Sequence, residues 1–250
     1  MAARFGPDDA PMRRIGPLYW GPRRNVWWVG ALFMVGSACF MAGPVVGATN
    51  NPVAAAVIYF VGSIFFTSAA YLQYAEVAKD APTNNATGSS PRRRVRALHF
   101  EPSRIEWQAA VVQLAGTVMF NISTFIAINQ SLDLKRAERL VWTPDALGSF
   151  CFLVASYLAL AEARGGWLRG RTGARAHGVS RWIAWLNFAG SVAFGISAIA
   201  SYIVPDTGEL LDAAASSSWT FIGAACFFFA AYLLWPESEQ GAAPDVASDP

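Results

Sequence analysis

The sequence predicts an all-α integral membrane protein, with six transmembrane helices arranged as three tandem helical hairpins in a pseudo-threefold repeat. Three observations predict it: six long apolar stretches nearly free of charge, a lopsided spread of basic residues between alternate loops, and one short motif that returns in every stretch. Of the 250 residues, 54% are hydrophobic and 14% charged, against roughly 25% charged in a soluble domain. The deficit is concentrated in long uncharged runs, which is the mark of bilayer spans rather than of a large core.

A crossing helix needs about 20 mostly apolar residues. Six segments qualify: 26–48, 54–75, 107–129, 146–163, 182–204 and 218–235. The fourth is the shortest. Within these bounds the only ionisable acid or base among Asp, Glu, Lys, Arg and His is Glu162, near the end of the fourth. Trp27, Trp28, Trp107, Trp182 and Trp235 stand at span ends, where indole rings favour the headgroup boundary. The first run is read as a span and not as a cleaved leader. Its charged preface is long, its apolar stretch exceeds the usual 7–15 residues, and its removal would destroy one copy of the repeat.

Orientation follows from the 19 Lys and Arg residues. Five precede the first span (Arg4, Arg13, Arg14, Arg23, Arg24). Six lie between the second and third (Lys79, Arg92, Arg93, Arg94, Arg96, Arg104), and five between the fourth and fifth (Arg164, Arg169, Arg171, Arg175, Arg181). The alternate loops hold only Lys135, Arg136 and Arg139. Under the positive-inside rule both termini are cytoplasmic in a multi-pass protein of the cell membrane. The chain then divides into a tail (1–25), hairpin one (26–76), a basic loop (77–103), hairpin two (104–162), a second basic loop (163–180), hairpin three (181–237) and an acidic, disordered tail (238–250). Lysine occurs only at Lys79 and Lys135, an arginine bias associated with GC-rich genomes.

The repeat is Gly-[Ser/Thr/Ala]-x-x-Phe. It pairs Gly36 with Phe40, Gly62 with Phe66, Gly116 with Phe120, Gly148 with Phe152, Gly190 with Phe194 and Gly223 with Phe227, and it occurs nowhere else in the chain. In the second helix of each hairpin Tyr-Leu follows the glycine by nine residues (Tyr71, Tyr157, Tyr232) and Glu by fourteen (Glu76, Glu162, Glu237), without a gap. In the first helices Trp precedes the glycine by eight or nine. Lipid tails are as apolar as leucine, so helices in a bilayer associate by close packing. A glycine beside a small residue opens a notch. A phenylalanine four residues on shares its face and fills a neighbour's notch. Gly43 and Gly47 form a GxxxG of the same kind beside Pro44. Each hairpin also begins with Arg and ends with Glu, so Arg24–Glu76, Arg104–Glu162 and Arg181–Glu237 are expected to pair at its base. Such exposed pairs are worth about 0–1 kcal/mol, enough to favour a register.

This hairpin resembles the YrhK-like domain, a small bacterial two-helix membrane module. The stretch WTPDALGSFCF from Trp142, leading to Ser156-Tyr157-Leu158 and Glu162, carries the likeness, which extends over all three hairpins. The resemblance implies the two-helix fold. The family has no established activity, so it assigns no catalytic or binding residue.

Little else in the chain carries chemistry. On the third helix Gln113, Thr117, Asn121 and Thr124 form one polar stripe, echoed on the fifth by Asn187 and Ser191. The stripe reads either as interhelical hydrogen bonding, about 0.6 kcal/mol per contact, or as a hydrated solute path. Packing is the favoured reading, because the first hairpin has Phe33, Ser37 and Met41 at the matching positions. Cys39, Cys151 and Cys226 each follow a motif glycine by three residues, but on helices of opposite direction. They read as small fillers, and no disulfide, metal or cofactor is expected. His99 and His177 fall in basic loops without ligand spacing. No HExxH, Walker or GxGxxG pattern is present. The arginines at 92–96 suit anionic lipid headgroups rather than nucleic acid. The expectation is therefore a non-enzymatic structural or accessory membrane component, in contact with the bilayer, with its protein partner undefined and self-association open. The alternative is a small-solute transporter or channel that uses the stripe. Against it stand the lack of inverted repeats and of ionisable residues inside the spans.

Overall fold

The structure is a computed structural model and describes residues 22–79, 102–164 and 178–240. Six long apolar helices account for nearly all of it, each long enough to cross a membrane. They are α1 (Pro22–Gly47), α2 (Pro52–Lys79), α3 (Ile105–Ala127), α5 (Thr143–Ala163), α6 (Gly178–Ala200) and α7 (Ala213–Gln240). A short α4 (Leu134–Ala137) and a π-turn (Glu138–Trp142) lead directly into α5. Among the described residues there is no strand beyond one isolated bridge, Ile203 to Leu210. Residues 1–21 of the predicted tail 1–25 and the stretches 80–101, 165–177 and 241–250, with His99, His177 and most of the basic residues that set orientation, lie outside the described residues.

Helices pair as α1 with α2, α3 with α5 and α6 with α7. The pairs join through α2–α3, α5–α6 and α7–α1, so the helices close into a ring. The last seam is held by Trp235, whose ring stacks on Trp27 at 5.7 Å between centroids and packs over Gly30.

The motif residues occupy the middle of this ring. Within each helix pair the two motif glycines face one another. A Cβ added to Gly36 would meet the Gly62 carbonyl oxygen at 3.0 Å, and one on Gly62 the Gly36 oxygen at 3.1 Å. Gly116 and Gly148 do the same at 3.1 and 3.0 Å, and Gly190 and Gly223 at 3.0 and 2.9 Å. Each motif phenylalanine lies on the glycine of its partner helix: Phe66 on Gly36, Phe40 on Gly62, Phe152 on Gly116, Phe120 on Gly148, Phe227 on Gly190 and Phe194 on Gly223. Without these notches the backbones could not approach to carbonyl contact.

On the axis the six rings form two stacked triangles. Phe40, Phe120 and Phe194 are 5.8–6.2 Å apart between centroids, and Phe66, Phe152 and Phe227 are 5.7–6.2 Å apart. Each upper ring meets the lower ring of its own pair at 5.3–5.4 Å. Aromatic pairs at such spacing contribute about 0.5–1.5 kcal/mol each beyond area burial. The side of this layer towards the α1 N-terminus is filled by Val29, Phe33, Ala70 and Ala231. The side towards the α1–α2 turn is hollow. These are called here the open end and the turn end of the bundle.

The fourth crossing differs from expectation. It runs from Leu134 to Ala163, not over 146–163. The chain enters Pro144 already helical, and the π-turn relaxes the register before it. The Thr143 hydroxyl donates to the Glu138 carbonyl at 3.0 Å, and the Thr143 amide donates to the same oxygen. Asp145 thereby falls within the fourth apolar helical stretch, as do Lys135, Arg136, Glu138 and Arg139 at its start, so Glu162 is not its only ionisable residue.

Replacing Gly190 by Ala forces a methyl against the Gly223 carbonyl and the Phe227 ring, whereas a Cβ at Gly195 meets nothing within 4 Å. Gly190→Ala is expected to destabilise by about 1–3 kcal/mol, and Gly195→Ala to be neutral or slightly stabilising, as read by thermal unfolding in detergent. Equal effects at the two sites would refute the notch as the packing element.

Candidate functional site

The turn-end hollow is an on-axis cavity of about 520 Å³. Its floor is the upper phenylalanine triangle, Phe40, Phe120 and Phe194, and it reaches the exposed residues Pro52, Gln130 and Ser217 at the turns. The lining follows the motif register. Seven residues after the first-helix glycines come Gly43, Ser123 and Ser197, and eleven after come Gly47, Ala127 and Ser201. Seven before the second-helix glycines come Ala55, Val141 and Ser216, six before Ala56, Trp142 and Ser217, and three before Tyr59, Asp145 and Thr220. Small residues at these positions, where packing would call for large ones, leave the space open.

The three helix pairs, alike in the ring layer, differ here. The first contributes Gly and Ala and the ring of Tyr59, which lies over Gly43. The second contributes Asp145, the only Asp, Glu, Lys, Arg or His in the lining, with Trp142 three residues before it. The third contributes hydroxyls: Ser197 donates to the Ser216 carbonyl at 2.8 Å and meets the Thr220 hydroxyl at 2.6 Å. The Trp142 indole donates to the Ala198 carbonyl at 2.9 Å and packs edge-on to Tyr202. Asp145 and Tyr59 are close enough to interact electrostatically. Among the described residues no hydrogen bond or ion pair engages the Asp145 carboxyl. Sequence reasoning missed this residue by one position. The signal was the shared register of Tyr59, Asp145 and Thr220, three places before the motif glycine.

The polar stripe lies mostly elsewhere. The Asn121 amide donates to the Thr67 hydroxyl at 2.5 Å, and its carbonyl accepts from Ser63 at 2.6 Å, between α2 and α3. Gln113 donates to Gln73 at 3.2 Å on the same seam. Thr117 and Ser191 are fully buried and donate to the carbonyls of Leu114 and Asn187. Thr124 alone among these residues lines the cavity. A separate groove on the α2–α3 flank borders Asn121, Thr67 and Tyr71. The three cysteines are free, and no cluster of three or more His, Cys, Asp or Glu occurs among the described residues.

At the open end each repeated glutamate meets a polar residue of its partner helix. Glu76 accepts from Asn25 at 2.8 Å; the side chain of Arg24 lies outside the described residues. Glu237 accepts from Ser180, while Arg181 stands exposed. Arg104 pairs with Glu106 at 3.3 Å, and Glu162 meets the Glu106 carboxyl with Arg104 nearby. Among the described residues no ion pair joins Arg181 to Glu237: Ser180, one place before the arginine, faces the partner helix and leaves Arg181 exposed.

Asn121→Leu is expected to remove both α2–α3 hydrogen bonds. A double-mutant cycle with Thr67→Val should return a coupling of about 0.6–1.7 kcal/mol, measured by unfolding in bilayer mimetics. A coupling of zero would detach the stripe from helix packing. Comparisons of the chain with protein-family models, with curated proteins and with solved structures found no match.

Proposed function

We propose that this polytopic membrane protein is three tandem copies of a YrhK-like hairpin forming a sealed, non-enzymatic component of the cell membrane, structural or accessory in role. The observation that carries the reading is the six-ring block on the axis. The glycine and phenylalanine that recur in every helix are the ones that interlock there, and neither is a reactive group. An apolar layer two rings deep offers no hydration to a crossing ion, whose transfer into such a medium is costly. The sixteen basic residues in the tail and alternate loops support cytoplasmic termini, with the arginines at 92–96 suited to anionic headgroups at about 1 kcal/mol per charge. Nucleic acid is not a partner in this reading, and self-association through the outer faces is compatible with it.

Small-solute transport is the second reading, favoured by one observation: an intramembrane carboxyl faces an on-axis cavity, and such groups commonly mark substrate paths. It requires the phenylalanine block to part.

Reconstituted vesicles separate the two. The sealed reading expects ion and small-solute flux no greater than in protein-free vesicles. Flux that disappears in Asn121→Leu would establish the α3 stripe as a path and overturn it. Topology is checked in a variant with Cys39, Cys151 and Cys226 replaced by Ala. Thr207→Cys should react with a membrane-impermeant maleimide in intact cells and Arg169→Cys only after lysis, and the opposite pattern would invert the orientation.

A further inference from the structure

We propose that the turn-end cavity is a binding site for a small organic cation, an alkylammonium group with an apolar body, held by Asp145 over an aromatic floor. The inference goes beyond the sealed-scaffold reading, because a closed axis does not require a hollow with a carboxyl in its wall.

Three features of the lining converge on that chemistry. The first is charge: Asp145 is the only charged side chain facing the cavity, and among the described residues it makes no hydrogen bond or ion pair. A carboxyl within a membrane span is costly unless something compensates it, and the lining supplies no Lys, Arg or His to do so.

The second is hydrogen-bond polarity. Ser123 donates its proton to the Val141 carbonyl at 2.8 Å, Thr124 to Phe120 at 2.6 Å, Ser197 to Ser216 at 2.8 Å and Ser201 to Ala198 at 3.0 Å. Trp142 likewise spends its N–H on Ala198. A hydroxyl has one proton and two lone pairs, so these side chains retain acceptor capacity alone. A ligand carrying N–H donors matches these four hydroxyls.

The third is the floor. Phe40, Phe120 and Phe194 close the cavity from below, and Tyr59 and Trp142 contribute to its wall. Aromatic rings attract cations by about 0.5–2 kcal/mol each, more when desolvated. They also offer apolar area to a carbon body. A bare metal ion fits poorly: ligand cavities of this size, about 300–1,000 Å³, suit organic molecules, and no cluster of metal-ligating side chains occurs among the described residues.

The variation between helix pairs agrees. Tyr59, Asp145 and Thr220 hold equivalent register, yet one is a ring, one a carboxyl and one a hydroxyl. Packing alone would tolerate three similar residues. An asymmetric ligand with a charged head and an apolar body accounts for three different ones.

The test uses the full-length protein in phosphatidylglycerol nanodiscs and two probes of similar shape, benzylammonium and neutral benzyl alcohol, titrated by calorimetry. The expected result is saturable benzylammonium binding that Asp145→Asn weakens about tenfold or more and Asp145→Glu partly restores, with any benzyl alcohol binding unchanged. Absence of saturable benzylammonium binding, or equal binding by the wild type and Asp145→Asn, overturns the proposal. Thr220→Lys guards against a misfolded Asp145→Asn. Its tethered ammonium, at equivalent register, should exclude the probe with Asp145 intact, and undiminished binding there overturns the proposal as well. Phosphatidylethanolamine added to the nanodiscs identifies the source. Competition with the probe assigns the site to a lipid headgroup amine, and unaltered affinity assigns it to a free amine. Flux in the vesicle experiment would overturn the sealed reading without touching this one, and binding without flux supports both.

Discussion

Everything in this bundle depends on backbones approaching to carbonyl contact inside a medium that offers no hydrophobic reward for doing so. Six glycines remove the side chains that would keep the helices apart, and six phenylalanines fill the notches that result. The exchange is reciprocal within each pair, so neither helix can shift along its partner without lifting a ring out of its notch. Because the same rings also meet across the axis, the contact that joins two helices also joins three pairs. Dispersion forces, individually about 0.1–0.2 kcal/mol per atom pair, accumulate here because the fit leaves little space between the rings.

The interlocking layer was legible in the sequence because it recurs. Six copies of a five-residue pattern marked the glycines and the phenylalanines, and the spacing to Tyr71, Tyr157 and Tyr232 set the pairs in register. What the repeat could not disclose was what lies beside it. A cavity has no motif. It arises where Gly43, Ala55, Ala56, Ser123 and Ser197 stand short of the axis, and each of these reads as ordinary in a membrane helix. Asp145 stood just outside the apolar run counted from Ala146, and no local signal announced the π-turn through which the helix extends back past Pro144. The Arg181–Glu237 pair failed for a related reason. Sequence spacing places both residues at the bundle's base, but only the rotation of α6 decides which side chain faces inward, and Ser180 does.

The two halves of the bundle therefore obey different rules. Towards the open end the axis is filled by Val29, Phe33, Ala70 and Ala231. Towards the turn end it is polar, hollow and different in each helix pair. Rigidity below and variation above is the arrangement expected where a packed framework carries a site. The framework could not accept Asp145 at the ring layer without an unmet carboxyl among phenyl groups. One turn higher, the same residue costs less because it borders open space.

The ring also has a seam. α7 returns against α1, with Trp235 stacked on Trp27 and bonded to its carbonyl at 3.3 Å, so helices far apart in the chain meet as directly as α2 meets α3. Nothing mechanical distinguishes the covalent joints from the non-covalent one. A chain opened between α2 and α3 and sutured between α7 and α1 would present the same surfaces to the same neighbours. The connectivity is thus a tether rather than a determinant of shape, and the assembly behaves as three mutually cohesive parts that happen to be strung together.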